Sequence, residues 1–306
     1  MVDLEYLNNI NLVTIPQMQR FLGTFVLGPN YNIFQKVDIV LENIDNIPKG
    51  ENVIFAMNHT DRFNYWPFQY KLWRSRHYPW TTVWVKGKYY RNKWLGKGLD
   101  SCNLIPVPSL GYLIEEFYTQ KYSRRIDRDL YRRVRDAIDG KDEGTEAHNA
   151  NIAETIRLFG DGFIDFMRDF YEKILEKVAD LTRIALFERG LSLIIFPEGT
   201  RGTQLGEGKT GIAQVALHTG KKVVPIGCNN SDQVYPDSLP FARTGRIVYR
   251  IGKPFSSADR LRPFRIEEPF QLLSRSSQQQ YKEQFEGATK VIMESINELL
   301  DENYRR

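Results

Sequence analysis

Cysteine and histidine are scarce in this chain, with two of the former and four of the latter among 306 residues. Cys102 and Cys228 stand far apart. They form neither a disulfide framework nor a metal-ligand spacing, which points to a reducing compartment. The nucleophile signature G-x-S-x-G is absent. So is any apolar run of the roughly 20 residues that a membrane-spanning helix needs. The opening Met1-Val2-Asp3-Leu4-Glu5 has neither the basic start nor the apolar core of a signal peptide. We therefore expect a cytoplasmic chain, soluble or peripheral on a membrane. A large excess of one charge is missing too: 42 Lys and Arg stand against 38 Asp and Glu, a net +4. That excess permits attraction to anionic lipid or an acidic protein and does not demand nucleic acid. No internal repeat or low-complexity segment is present.

What the sequence does have is apolar residues, 42% of the total, enough for a real core. Its length suits one large domain, or one domain with an insertion. Aromatics make up 13%, with 18 Phe and 16 Tyr; such rings fill cores and also suit membrane interfaces. Strand patterns fall at 37–42, 52–57, 81–86, 103–107, 191–196, 222–226 and 246–251. The run Val53-Ile54-Phe55-Ala56-Met57 is apolar throughout, as in strands buried on both faces of a parallel sheet. Strands alternating with helices predict an α/β fold with a mostly parallel central sheet flanked by helices.

Pro16 suits the first turn of a helix over 16–27, and Gly28-Pro29 should stop it. Met18, Phe21, Leu22, Phe25 and Val26 share a face at helical spacing. That face either packs on the core or lies in a lipid head-group layer, making 10–28 a candidate interfacial helix. Residues 110–189 read as a helical insertion. A polar break covers 140–151, with a second interruption near Gly160-Asp161-Gly162. Arg124, Arg128, Arg132 and Arg135 follow helical spacing. They form either a cationic docking face or a solvated face balanced by Asp127, Asp129 and Asp136. A C-terminal helix is expected over 278–300.

Two segments carry chemistry. The strand at 191–196 leads into Phe196-Pro197-Glu198-Gly199-Thr200-Arg201-Gly202. A carboxylate, a glycine, a hydroxyl and a guanidinium thus stand at the carboxyl end of a strand, where open α/β sheets place ligands. Arg201 can hold an anion by paired hydrogen bonds. The strand at 52–57 leads into Asn58-His59-Thr60-Asp61-Arg62-Phe63-Asn64. A His there, with a carboxylate or amide to orient its second nitrogen, can act as a general base. His77, His148 and His218 have no comparable setting; His148 lies in the polar break and His218 near a helix end. Trp66, Trp73, Trp80, Trp84 and Trp94 cluster in one region, as core, as the wall of an apolar pocket or as a membrane-facing belt.

Asn58-His59, the Phe196-to-Arg201 block, Lys209-Thr210-Gly211 and Val223-Val224-Pro225-Ile226-Gly227 together resemble the glycerolipid acyltransferase family. This family includes lysophosphatidic acid and glycerol-3-phosphate acyltransferases. The resemblance spans roughly residues 50–108 and 190–253. It implies transfer of a fatty acyl group from acyl-CoA or acyl carrier protein to a lipid hydroxyl, with no cofactor and no metal. His59 would be the base, and Glu198, Gly199, Thr200 and Arg201 would line the acceptor site. Membrane lipid and the acyl carrier would be its partners.

Three departures stand out. The family's Asp five positions after the His is Asn64 here, so either Asn64 or Asp61 could partner His59. An amide orients an imidazole without stabilising its cation; in serine proteases the corresponding change costs roughly ten-thousand-fold. The family's Arg after the second block is replaced at about Pro108, which removes one cation from a phosphate clamp. The 110–189 insertion is also longer than usual, and could serve as a lid, a membrane contact or a carrier-docking face. The reading is thus one acyltransferase domain over 1–306. The alternatives are a lipid-binding member without activity, or an enzyme for a non-glycerol lipid acceptor.

Overall fold

The computed structural model describes every residue except Asp142, and every side chain of the rest except those of Lys93, Trp94 and Leu95. The side chain of Trp94, one of the tryptophan cluster, therefore lies outside what the structure describes. Two compact units emerge. One comprises Met1–Ile10, Val85–Gly98 and Pro106–Ala179; the other comprises Asn11–Trp84, Leu99–Ile105 and Asp180–Arg306.

Seven strands form one sheet: β1 Val37–Glu42, β2 Ile54–Met57, β3 Thr81–Lys86, β4 Leu104–Val107, β5 Ser192–Ile195, β6 Val223–Asn229 and β7 Gly245–Ile251. Their order is β1-β7-β6-β2-β5-β3-β4. β2 sits between β5 and β6 and is parallel to both, and β3 is parallel to β5. Only β6 and β7 pair antiparallel among the registered pairs. All seven predicted strands are present. β6 runs past the expected Ile226 because Gly227, Cys228 and Asn229 pair with Arg250, Tyr249 and Val248. Every residue of β2, β5 and β6 is buried, which explains their unbroken apolar runs.

The N-terminal segment corrects one expectation. Gln17–Leu22 is α-helical, and wide helical turns continue it through Gly23–Leu27 and Asn30–Phe34. Gly28-Pro29 does not end it. Pro29 holds φ −59° and ψ −42°, already helical, so it opens the next turn without strain. The segment seats Gly23, Leu27, Asn30 and Tyr31 inward. Met18, Phe21, Phe25 and Val26 face outward, with Phe25 66% exposed.

Among the described residues, 110–189 holds four α-helices, Leu110–Tyr122, Arg128–Asp139, Glu146–Phe159 and Phe163–Arg183, followed by the wider helical turn Ile184–Glu188. Gly160 and Gly162, at φ 101° and 77°, make the break between the last two α-helices. Two expectations change here. His148 is buried in a helix rather than in a polar loop, because Thr145 caps that helix by accepting the His148 N–H. Arg124 lies off the arginine-bearing helix, which starts at Arg128 with Asp127 as its cap. On that helix Arg132 pairs with Asp129 and Arg135 with Asp139, the balanced arrangement. At the C-terminus, two helices replace the expected one, Arg275–Gln280 and Lys282–Asn297. They are broken at Tyr281, whose φ −111° and ψ 31° are not helical.

Candidate active site

The parallel strands β2, β5 and β6 deliver their carboxyl ends together, and the chemistry collects there. Asn58 follows β2 directly. Its side chain acts as one more peptide of the ladder: Nδ2 donates to the Cys228 carbonyl at 2.9 Å, and Oδ1 accepts the Cys228 N–H at 2.7 Å. This docks the start of the loop onto β6. The loop's far end is held by the fully buried Tyr249, whose hydroxyl donates to the Asn64 carbonyl at 2.5 Å.

His59 is half-buried between these anchors. Its ring stacks on Phe196, with centroids 4.1 Å apart and planes 20° from parallel. Its Nδ1 lies 3.2 Å from Asn64 Oδ1. The Asn64 amide is fully buried, and its Nδ2 donates to the Asn58 carbonyl at 2.8 Å. A carbonyl only accepts, so the amide nitrogen must face Asn58 and the amide oxygen must face the imidazole. An oxygen opposite Nδ1 requires a proton on Nδ1 when the ring is neutral. That tautomer puts the ring's basic lone pair on Nε2.

Asp61, the other candidate partner, is engaged elsewhere. Its Oδ1 accepts the Phe63 N–H at 2.7 Å and its Oδ2 the Thr60 hydroxyl at 3.0 Å, an Asx-type turn. Burial raises its pKa above the usual carboxylate value, partly offset by the bonds from Phe63 and Thr60.

The Phe196–Gly199 turn closes with the Gly199 N–H donating to the Phe196 carbonyl at 3.0 Å. Proline second and glycine fourth are what such a turn favours. Gly199 takes φ +64°, which strains any side chain. Glu198 points inward and is 4% exposed. Its Oε2 accepts the His59 N–H at 2.7 Å and its Oε1 the Gly206 N–H at 2.9 Å. The Gly202 N–H in turn donates to the His59 carbonyl at 3.0 Å. Residues 198–202 thus clasp the backbone of His59 from two sides. Burial raises the Glu198 pKa, against the lowering effect of its two N–H donors. Thr200 and Arg201 are exposed beside this clasp.

Of the residues singled out in the sequence, His59, Asn64, Glu198, Gly199, Thr200 and Arg201 therefore meet at one place. Asp61 is next to them in sequence and turned away. The roles of Asn58, Phe196, Gly206 and Tyr249 emerge only with the fold. For Asn58 a signal was available: a strand ended in an amide side chain able to mimic a peptide. A cavity of about 430 Å³ lies behind the 205–210 loop, lined by Leu205, Gly206, Thr289 and Met293 among others. Neither His59 nor Arg201 lines it.

Residues 154–229 match the acyltransferase family model, a stretch that holds the Phe196-to-Arg201, Lys209-to-Gly211 and Val223-to-Gly227 blocks. No curated protein matches the sequence significantly. Among solved structures, the chain is similar to the 1-acyl-sn-glycerophosphate (LPA) acyltransferase PlsC from Thermotoga maritima. The match has 16% identity and a TM-score of 0.41, covering 95% of this chain and 83% of that one.

Proposed function

We propose that this chain, whose residues 154–229 match the acyltransferase family model, moves a fatty acyl group from a thioester to the hydroxyl of a lipid acceptor, with His59 as general base. One observation carries the reading. The His59 ring is stacked on Phe196 and faces Asn64 Oδ1 through Nδ1, while Glu198 and Gly202 clasp its backbone, at the ends of adjacent parallel strands. That is far more constraint than a structural histidine needs.

In the proposed reaction the acceptor hydroxyl gives its proton to His59 Nε2 as its oxygen attacks the thioester carbonyl. The tetrahedral adduct collapses by breaking the carbon–sulfur bond. The imidazolium returns its proton to the departing thiolate, leaving an ester, a free thiol and neutral His59. Throughout, Asn64 Oδ1 accepts from Nδ1–H and holds the ring in place. The donor is a thioester of coenzyme A or of a carrier protein, and the acceptor is a lysophospholipid or related lipid. Arg201, exposed beside the base, is suited to an anionic group on that lipid.

The enzyme would work on a membrane surface. Among the described residues no helix is long and apolar enough to cross a membrane. The outward face of residues 13–34, however, exposes Ile15, Phe21, Phe25, Ile33 and Phe34 at 52% or more. Such a face suits the head-group layer, from which a lysolipid would be taken.

The test is thiol release from acyl-CoA by purified protein in the presence of lysophospholipid. Wild type should turn over, and His59→Ala should lose roughly a hundred- to ten-thousand-fold, the contribution of a general base. Equal inactivity of both, with every donor and acceptor tried, would end the enzymatic reading.

A further inference from the structure

Apart from Phe187, the large apolar side chains exposed in the unit that carries His59 fall into two segments among the described residues. One is the outward face of 13–34. The other is the loop between Tyr235 and Thr244, whose Leu239 and Phe241 are 62% and 66% exposed. The topology puts this loop at the His59 end of the sheet. β6 runs parallel to β2, and its carboxyl end lies beside Asn58; the chain leaves that end to form the loop. β7 runs antiparallel to β6, and β1 parallel to β7, so both strands start at the same end.

The loop is stapled to the N-terminal segment on both sides. The Tyr235 hydroxyl donates to that of Tyr31 at 2.8 Å. On the return, the Thr244 N–H and hydroxyl both donate to Gln35 Oε1, at 3.1 and 2.9 Å, and the Gly245 N–H donates to the Lys36 carbonyl at 3.2 Å. Ile33 and Phe34, both strongly exposed, lie between these staples in sequence. The Arg243 N–H closes the neck of the loop on the Val234 carbonyl at 2.8 Å. Pro236 and Pro240 stiffen what projects beyond it. Arg62, from the segment that holds His59 and Asn64, donates through Nη1 to the Ser238 carbonyl at 3.3 Å.

The charges select the partner. Residues 11–36 contain no Asp or Glu, in a chain that has 38 of them. Their two cations, Arg20 and Lys36, are exposed and enter no ion pair among the described residues. Asp237, the loop's own acid, is neutralised by Arg243 at 2.7 Å. Apolar tips flanked by cations, with no uncompensated acid, fit the surface of an anionic bilayer.

We propose that the 236–243 loop is a second lipid-contacting element, which enters an anionic phospholipid surface together with Ile33 and Phe34 and holds the His59 end of the sheet against it. The proposal rests on the acyl-transfer reading and deepens it: the acceptor is drawn from the bilayer at the site itself. Contact through the 13–34 face alone leaves that orientation free.

The test compares wild type with the double variant Leu239→Asn, Phe241→Asn. Both side chains are exposed, so the melting temperature should hold. The first arm is co-sedimentation with vesicles of phosphatidylglycerol and phosphatidylcholine. The variant should partition at least tenfold more weakly, as for withdrawal of two large apolar side chains from the interface. The second arm is thiol release from acyl-CoA with two acceptors, a long-chain lysophospholipid embedded in those vesicles and a short-chain one dissolved as monomers. Turnover of the embedded acceptor should fall in step with partition, while that of the monomeric acceptor should change little. Undiminished sedimentation overturns the proposal, as does an equal loss on both acceptors. So does a change of oligomeric state with vesicle binding intact, which would assign the loop to a second copy of the chain. The sedimentation arm keeps the two readings distinguishable. If wild type is inactive and the variant still loses vesicle binding, the lipid contact stands and the transferase reading falls.

Discussion

The imidazole partner is decided by what else each candidate side chain touches. Asn64 has its nitrogen committed to the Asn58 carbonyl and its oxygen facing His59 Nδ1. The serine-protease comparison is therefore only partly apt. There, an amide in place of the carboxylate is so damaging because it enforces the wrong tautomer. Here the backbone of Asn58 turns the amide round and keeps the proton on Nδ1, the tautomer that a general base at Nε2 would need. What is missing is only the charge opposite the imidazolium. Asn64→Ala should thus lower turnover at least tenfold, whereas Asp61→Asn should cost less than about tenfold, under roughly 1.4 kcal/mol. Steady-state rates with the same acceptor decide the order. A greater loss in Asp61→Asn would transfer the orienting role to that residue. None of this could be read from Asn58-His59-Thr60-Asp61-Arg62-Phe63-Asn64 as a string. A loop can bring either residue to the ring, and the choice depends on one hydrogen bond back to Asn58.

Elements were more legible than loops because their signals are periodic. β2 and β5 announced themselves as apolar runs, and the glycines at 160 and 162 marked the break between two helices of the insertion. Where the sequence misled, the deciding contact was distant. β6 continues past Gly227 because β7 is there to pair with it. The helical chain runs through Pro29 because Tyr31 has a buried seat, its hydroxyl accepting from Tyr235 at 2.8 Å. The apolar spacing of residues 16–27 could not tell whether its face met core or lipid. The fold buries Gly23 and Leu27 and leaves Phe21 and Phe25 outside, their rings 5.1 Å apart. Burying one such ring gains roughly 1.5–3 kcal/mol. Replacing both Phe21 and Phe25 by Glu should therefore reduce binding to anionic phospholipid vesicles at least tenfold. Co-sedimentation reads this directly, with circular dichroism showing that the helices persist. Undiminished sedimentation would take this face out of any membrane contact.

At the scale of the whole molecule, the site is assembled at a cost in stability that depends on pH. Asp61 and Glu198 are buried carboxylates held by N–H and hydroxyl donors, and among the described residues neither has a cationic partner in an ion pair. Burial raises both pKa values. For a carboxylate raised on folding, the native state binds the proton more tightly than the unfolded chain does. Below the ordinary value near 4 both states are protonated and the group is neutral to stability. As pH rises from there through the raised folded value, the unfolded chain ionises more readily and folding loses ground. Asp61→Asn cannot ionise and removes one of these two slopes. Its amide oxygen can still accept the Phe63 N–H. The melting temperature of Asp61→Asn relative to wild type should therefore rise between about pH 4 and pH 7, as the wild-type carboxylate is forced to ionise. Melting curves across that interval test the sign. A relative midpoint that falls with pH would mean that the native state favours the charged carboxylate, and that the Phe63 and Thr60 donors outweigh its burial.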